Sequence, residues 1–161
     1  MIRLPRVHYE AILEHARTEA PKECCGLLAG KSGRVERVYR ITNRADRAVD
    51  LFAERGLMPQ SGADPSRLPN ERYVMDPEEL FRALREIEAA ALDHLANYHS
   101  HPATPPWPSR TDVEFAAYWP HVAHLICSLV DPDQPTLRAF RIVNGQVCEV
   151  PIRVEEEPIG R

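Results

Sequence analysis

The chain has 161 residues, of which 43% are hydrophobic and 27% are charged, a composition typical of one globular domain. Its 20 basic and 24 acidic side chains leave a net charge of −4, which disfavours a protein that gathers nucleic acid or binds an anionic membrane surface. No run approaches the ~20 apolar residues of a membrane span, and residues 1–6 lack the apolar core of a secretory signal. We therefore expect a cytoplasmic protein with no nucleic-acid or membrane partner.

The first third of the chain predicts a helix followed by two strands. Residues 7–20 place small and apolar side chains at helical spacing until Pro21 ends the run. Residues 24–29 and 35–41 predict strands joined as a hairpin, because residues 30–33 carry turn chemistry. Residues 43–72 lose all periodicity and contain several prolines, which interrupt whatever helix residues 49–55 could form. We expect a loop insertion there with a functional or mobile role.

Asp76 predicts the start of the next helix, because it is followed by Pro77 at the first helical position and by Glu79 as a capping-box acid. This helix should bury one stripe of side chains. The stripe consists of Leu80, Leu84, Ile87 and Ala91.

The second half predicts strands around one further helix. Residues 94–101 form a strand, residues 102–108 form a rigid loop with four prolines, and Ser109 opens a helix that reaches Trp119. Buried strands follow at 121–130 and 137–143, and Asn144-Gly145 predicts a hairpin to a strand at 147–154. Residues 1–154 thus form a single domain, and residues 155–161 form a tail that frays.

His99 and His101 stand two residues apart near the end of a predicted strand. Side chains at i and i+2 point to the same face about 6.6 Å apart, so two imidazoles can converge on one metal ion. Asp112 follows in the first turn of the next helix, where the chain can return a carboxylate to the same place.

Two histidines and one aspartate match the open ligand set of a catalytic zinc site, which keeps its fourth position for water. Zinc lowers the pKa of water and polarises a carbonyl, but a peptidase also needs a base. The sequence has no H-E-x-x-H motif to supply that base.

These residues resemble the JAMM (MPN+) metalloprotease signature. The match consists of His99-Ser100-His101-Pro102, six residues to Ser109, two more to Asp112, and a distant glutamate in Glu23-Cys24-Cys25-Gly26. The resemblance implies an α/β fold with a curved mixed sheet flanked by helices, of the type that this family shares with cytidine deaminases. It implies one Zn²⁺ per chain, held by His99, His101 and Asp112.

The same resemblance implies that Glu23 holds and deprotonates the zinc-activated water and that Ser109 donates a hydrogen bond to the developing oxyanion. Ser100 lies on the opposite face of its strand, which indicates a structural role. Trp107 is a candidate for lining the substrate groove, with exposed packing as the alternative.

Ordinary structural roles compete with several of these assignments. Ser109 and Asp112 also fit a helix N-terminal capping box, and both roles can hold together. A lone H-x-H pair more often packs or faces solvent than binds metal, but the joint match with Ser109, Asp112 and Glu23 reverses those odds. Other histidines are expected to be exposed or hydrogen-bonded, and the cysteines to be reduced and mostly buried rather than nucleophilic. These residues are His8, His15, His121, His124, Cys24, Cys25, Cys127 and Cys148.

The sequence thus predicts a zinc peptidase or isopeptidase. Single-domain relatives of this type suggest that the substrate is the C-terminus of a ubiquitin-like sulfur-carrier protein. We expect the extended tail of that protein to lie along a strand edge beside the zinc. Residues 43–72 are expected to become ordered over the tail. A metal-free scaffold for protein assembly is one alternative, and a zinc amidase that acts on small peptides is another. Nothing in the pattern predicts an oligomeric state.

Overall fold

The structure is a computed structural model that describes residues 1–62 and 64–158. Within that range, one mixed sheet contains strands Ile2–Pro5 (β1), Cys25–Lys31 (β2), Arg34–Ile41 (β3), Asp93–His101 (β4), Ala123–Ser128 (β5), Thr136–Val143 (β6), Gln146–Val150 (β7) and Ile152–Glu155 (β8). The helices are Arg6–Glu19 (α1), Val49–Glu54 (α2), Pro77–Ala89 (α3) and Arg110–Ala116 (α4). The strand order is β7-β6-β5-β4-β2-β3-β1-β8. The predicted α/β class, with a mixed sheet flanked by helices, is confirmed.

The period-2 alternation of β2 decides which layer packs on which face of the sheet. Leu28 belongs to the cluster that also contains Ile12 and Leu13 of α1. Its neighbour Leu27 points the other way and packs with Ala83 and Ile87 of α3. The helix α1 therefore covers one face, and α3 covers part of the other.

Both predicted hairpin turns are present. Ser32 and Gly33 join β2 to β3 with φ of 51° and 76°, and Asn144 and Gly145 join β6 to β7 with φ of 51° and 75°. Positive φ at both central residues is the turn geometry that matches the twist of the flanking strands.

Residues 43–72 are more ordered than the sequence suggests. They contain α2 and two 3-10 turns, at Ala45–Arg47 and Leu68–Asn70. Phe52, Leu57 and Leu68 form a small apolar cluster of their own with Ala45. The helix that the prolines were expected to interrupt therefore forms, because this cluster joins residues that are distant in sequence and show no local period.

The ends of α3 differ from their prediction in two details. Asp76 caps the helix by accepting from the Glu79 backbone N–H at 3.0 Å. The Glu79 carboxylate does not complete a capping box; it accepts instead from the backbone N–H and the hydroxyl of Thr42. Ala91 is exposed at φ 55°, beyond the end of the helix, and so does not join the buried stripe.

The predicted strand at 147–154 is two strands, divided at Pro151. After β7 the chain leaves β6 and lies parallel to β1, a strand that the sequence did not predict. Glu155, the predicted start of the tail, ends β8 and accepts from Arg34 at 3.0 Å. Residues 159–161 of the predicted tail lie outside the described residues.

None of the helices that the structure describes has the length and apolar character needed to cross a lipid bilayer.

Candidate active site

The strand β4 presents both histidines of the predicted motif from the middle of the sheet. It pairs with β2 on one side, where Cys25 lies opposite His99, and with β5 on the other, where Ile126 lies beside His99. His99 and His101 are 2% and 6% exposed. Their alternation places both rings on the face covered by α3, as predicted from their spacing.

Glu23 lies just before β2, next to the same pair of histidines. Extending the antiparallel register by two residues from Cys25 and His99 puts Glu23 opposite His101. Two contacts hold this extension: the Ser100 backbone N–H donates to the Cys24 carbonyl at 3.1 Å, and the Cys24 N–H donates to the Ser100 hydroxyl at 2.7 Å. Ser100 thus has the structural role that its face of the strand predicted.

Asp112 enters the site from the first turn of α4. Ser109 caps that helix, its hydroxyl oxygen accepting from the Asp112 N–H at 3.1 Å, while the Asp112 Oδ2 accepts from the Ser109 N–H at 2.8 Å. The capping box is therefore complete. Because the Ser109 oxygen accepts in this bond, its hydroxyl hydrogen remains available as a donor.

Three predicted metal ligands converge on one point. The Nε2 atoms of His99 and His101 are 3.1 Å apart and lie 3.2 and 3.1 Å from the Asp112 Oδ2. These two ring nitrogens and the carboxylate oxygen lie close enough together to share protons or a single cation. Two imidazoles and a carboxylate are a donor set that zinc accepts, so the residues fit such an ion.

Glu23 brings a second carboxylate to this cluster. One of its oxygens lies within 4.8 Å of a ligand nitrogen on each histidine, and these three residues also form a potential metal-binding group. Asp112 is the nearer carboxylate to both histidines, at 3.1–3.2 Å. The longer separation at Glu23 is one that a hydrogen-bonded water can bridge.

The imidazole of His101 is oriented by the proline loop. Its Nδ1 lies 2.8 Å from the Pro105 carbonyl oxygen, which can only accept, so Nδ1 carries the hydrogen. In the neutral ring the lone pair then stands on Nε2, facing Asp112 and His99. Such a partner on the outer nitrogen is the usual support of a metal-ligating histidine.

The surroundings of the two carboxyl groups shift their pKa values in opposite directions. Burial raises the pKa of Glu23 well above its ordinary value, the negative Asp112 adds to the rise, and Arg72 opposes it. Burial would also raise the pKa of Asp112, but His99 and His101 outweigh it and hold that pKa well below the ordinary range. Two carboxyl groups in one cleft whose pKa values are shifted in opposite directions are typical of an acid–base site.

The remaining residues singled out in the sequence lie outside this cluster. Trp107 is half exposed, and its ring meets that of Phe140 edge to face at 5.1 Å. Burial raises the pKa of the Cys24 thiol to about 12 and that of Cys25 well above its ordinary value, which argues against a thiolate nucleophile. Cys127 is also buried, and Cys148 is exposed.

Two of the other histidines, His15 and His124, are buried rather than exposed. His15 is hydrogen-bonded as expected, its Nδ1 lying 2.7 Å from the Tyr98 hydroxyl. His124 is 6% exposed, and its Nε2 has no partner among the described residues, so the expectation of an exposed or satisfied ring was wrong for that atom. Burial lowers the pKa of His124 to about 4, which keeps the ring neutral.

Residues from the 43–75 region support the site without any signal in the sequence. Tyr73 stacks on His99, with ring centroids 4.5 Å apart and an interplanar angle of 25°. Tyr73 also lines a mostly apolar cavity of about 300 Å³ between this region and α4, with His124, Phe115 and Trp119 among the other lining residues. These contacts join distant parts of the chain, which is why local pattern could not reveal them.

Comparison with known proteins places the chain among characterised relatives. It is 36% identical over 149 residues to the CysO-cysteine peptidase of Mycobacterium tuberculosis, covering 91% of this chain and 86% of the relative. It is 38% identical over 123 residues to a desampylase of Haloferax volcanii, covering 74% of each. It is 35% identical over 143 residues to a probable TtuB-protein conjugate cleaving protease of Thermus thermophilus, covering 89% of this chain and 77% of that protein.

Solved structures agree on the fold. A protein from Desulfitobacterium hafniense is 35% identical and superposes with a TM-score of 0.75 over 98% of this chain and 94% of that one. A JAB1/MPN domain protein from Archaeoglobus fulgidus, 16% identical, shares the fold with a TM-score of 0.56 over 95% of this chain and 98% of that one. The family described as prokaryotic homologs of the JAB domain matches residues 5–143. The chain belongs to this family, as the resemblance of its motif predicted.

Proposed function

We propose that this protein is a zinc-dependent peptidase or isopeptidase that hydrolyses an amide bond at the C-terminus of a ubiquitin-like sulfur-carrier protein. The observation that carries the proposal is the convergence of two buried histidines and Asp112 at 3.1–3.2 Å, with the Glu23 carboxylate within 4.8 Å of both imidazoles. A scaffold that had lost its chemistry would have no reason to keep all of these groups buried together.

His99, His101 and Asp112 would hold one Zn²⁺, which when bound lowers the pKa of water and polarises the substrate carbonyl. The Pro105 carbonyl fixes the donor face of His101, and the ring of Tyr73 fixes the plane of His99. Three protein ligands leave a position open, as hydrolysis requires.

Glu23 would act as the general base. Its carboxylate takes a proton from the attacking water and later gives that proton to the amine that leaves when the C–N bond breaks. Its raised pKa, caused mainly by burial, suits a group that must both accept and donate a proton.

Ser109 would stabilise the negative charge that develops on the carbonyl oxygen. Its oxygen accepts from the Asp112 N–H, so the hydroxyl hydrogen can point outward to the substrate. The capping role and the catalytic role therefore use different parts of one hydroxyl group.

The substrate class is supported by the names of the relatives, which include a CysO-cysteine peptidase and a protease that cleaves TtuB-protein conjugates. The sheet itself offers no edge for such a tail beside β4, because β2 and β5 occupy both of its sides. The tail would instead cross the carboxyl end of β4, between residues 43–75 and α4, where the cavity next to Tyr73 can receive an apolar side chain. Trp107 would line the far side of this path.

The test measures zinc per chain and cleavage by the same samples. Wild-type protein and His99→Ala, purified without chelator or a histidine-rich tag, are analysed for metal, and then incubated with ubiquitin-like sulfur-carrier fusions and with short peptides. We expect about one zinc in the wild type, little in the variant, and cleavage of the protein fusions by the wild type alone. A folded protein that refuses zinc would contradict the proposal and favour a scaffold, and cleavage of peptides alone would favour a small-peptide amidase.

A further inference from the structure

Asn43 makes an unusual number of hydrogen bonds for one partly buried side chain. Its Nδ2 lies 3.0 Å from the Glu23 carbonyl oxygen, 3.0 Å from that of Arg72 and 3.3 Å from that of Pro69. An amide nitrogen has two hydrogens, so the three carbonyls share them. The donor half of Asn43 thus ties Glu23 to the 69–72 turn.

The acceptor half of the same side chain has a separate task. Its Oδ1 accepts from the Ala45 N–H at 3.0 Å and from the Val74 N–H at 3.1 Å. These two bonds join the beginning and the end of the 43–75 region. They involve no atom of Glu23.

The backbone of Glu23 depends on these contacts because it lies before the first residue of β2. The Glu23 N–H donates to the Pro69 carbonyl at 2.8 Å, and the Glu23 carbonyl accepts from Asn43. Both polar groups of its main chain are therefore satisfied by this region rather than by a neighbouring strand. Without these bonds, the backbone of Glu23 would be held through its neighbour Cys24, which bonds to Ser100.

We propose that Asn43 is a positioning residue for Glu23, acting through its two amide hydrogens, and that residues 43–72 serve catalysis by holding the base as well as by meeting substrate. This inference rests on the proposed function of Glu23. Misplacing a catalytic group by about 1 Å costs on the order of 10²-fold in rate, so the donor bonds have a measurable consequence.

Asn43→Asp separates the two halves of the side chain. Aspartate keeps an oxygen for the Ala45 and Val74 N–H groups but has no hydrogen for the three carbonyls, which it would repel. We expect Asn43→Asp and Asn43→Ala to lower kcat by roughly 10- to 100-fold, with zinc content and KM close to those of the wild type.

The matched control is Phe52→Leu. It loosens the apolar cluster of the same region, to which neither Asn43 nor Glu23 belongs. We expect a lower melting temperature and an unchanged kcat. If Asn43→Asp retained full kcat, or if Phe52→Leu lost as much as Asn43→Asp, the positioning role would be overturned in favour of a general stabilising one.

Two further measurements separate this inference from the proposed function. In a Glu23→Gln background, Asn43→Asp should cost no additional turnover, because the group it positions is already disabled; full additivity would contradict the inference. Amide hydrogen exchange at Glu23, followed by NMR, should speed up in Asn43→Asp but not in Phe52→Leu. That readout needs no activity: if the wild type cleaved nothing, the proposed function would fail, while unchanged exchange at Glu23 would reject the positioning role independently.

Discussion

The ring of Tyr73 lies nearly parallel to that of His99, with centroids 4.5 Å apart and 25° between the planes. His99 belongs to a central strand and Tyr73 to the end of the 43–75 region, so the stack joins the metal-ligand candidates to the part of the chain that looked least ordered in the sequence. The contact restricts rotation of the imidazole about its χ2 bond and keeps Nε2 directed at Asp112.

Removing the Tyr73 ring should weaken zinc binding. We expect Tyr73→Ala to lower the affinity for zinc by about 10- to 100-fold, the usual effect of losing a group that orients a ligand. Tyr73→Phe keeps the stacking face and should bind zinc as the wild type does. Competition titration with a chromogenic chelator measures both variants, and equal affinities for all three proteins would show that His99 is oriented by its strand alone.

Zinc should also stabilise the fold, since it binds the folded chain and not a preformed site in the unfolded one. At a free zinc concentration about 1,000 times the dissociation constant, we expect roughly 4 kcal/mol of added stability. Thermal unfolding with zinc and with a chelator measures the difference. His99→Ala should abolish it, whereas the exposed His121 can be replaced by alanine without effect.

Glu23→Gln should separate metal binding from turnover. The amide keeps the shape of the side chain and cannot take a proton, so we expect full zinc content and a loss of at least 10²-fold in kcat. Asp112→Ala should lose the metal and the activity together. Near-normal turnover in Glu23→Gln would remove this residue from the role of base.

Ser109→Ala should lower both stability and catalysis. The lost N-cap costs about 1 kcal/mol, and the lost oxyanion donor costs on the order of 10²-fold in kcat, with zinc retained. Asp76→Ala is the comparison variant, because the Asp76 side chain also accepts from a backbone N–H in the first turn of its helix, α3, but lies outside the site. It should reproduce the stability loss at full kcat; an equal loss of kcat in both variants would leave Ser109 as a cap only.

His15 should make the protein less stable in mild acid. It is 5% exposed, and burial, with a smaller contribution from Arg40, lowers the pKa of its ring to about 4. The unfolded chain gains a proton as the pH falls below about 6.5, whereas the folded chain gains it only near pH 4, so stability is complete above that upper value and is lost as the pH falls between the two.

The expected slope from His15 is about 1.4 kcal/mol per pH unit around pH 5. Urea unfolding from pH 4.5 to 7.5 measures it, and His15→Gln should flatten the curve by that amount relative to the wild type. A parallel shift of the whole curve in His15→Gln would assign the residue a packing role without a pH-dependent one.

Local chemistry accounts for the parts of the fold and site that could be predicted. Asp76 and Pro77 mark the start of a helix in any context, and a histidine pair two residues apart on a strand must share a face. The return of Asp112 to His101 could also be predicted, because the proline loop and the Ser109 cap that position Asp112 are themselves local features. These residues are brought together as the sequence predicted.

Contacts between distant residues explain what could not be predicted. The site is supported by contacts from Tyr73, Asn43 and the Pro105 carbonyl, and no sequence motif predicts these contacts. The cluster around Phe52 has no period, and β1 is a four-residue strand whose longer ladder is with β8, near the other end of the sequence.

That last pairing has a consequence for how the chain folds as it is made. The register runs from Ile2 with Ile152 to Pro5 with Glu155. The ladder between β1 and β8 therefore cannot form until the residues of β8 have left the ribosome. Until then β1 presents open backbone groups along its outer side, a surface on which other nascent chains can pair. Covering the outer side of β1 until β8 is available would therefore prevent such pairing.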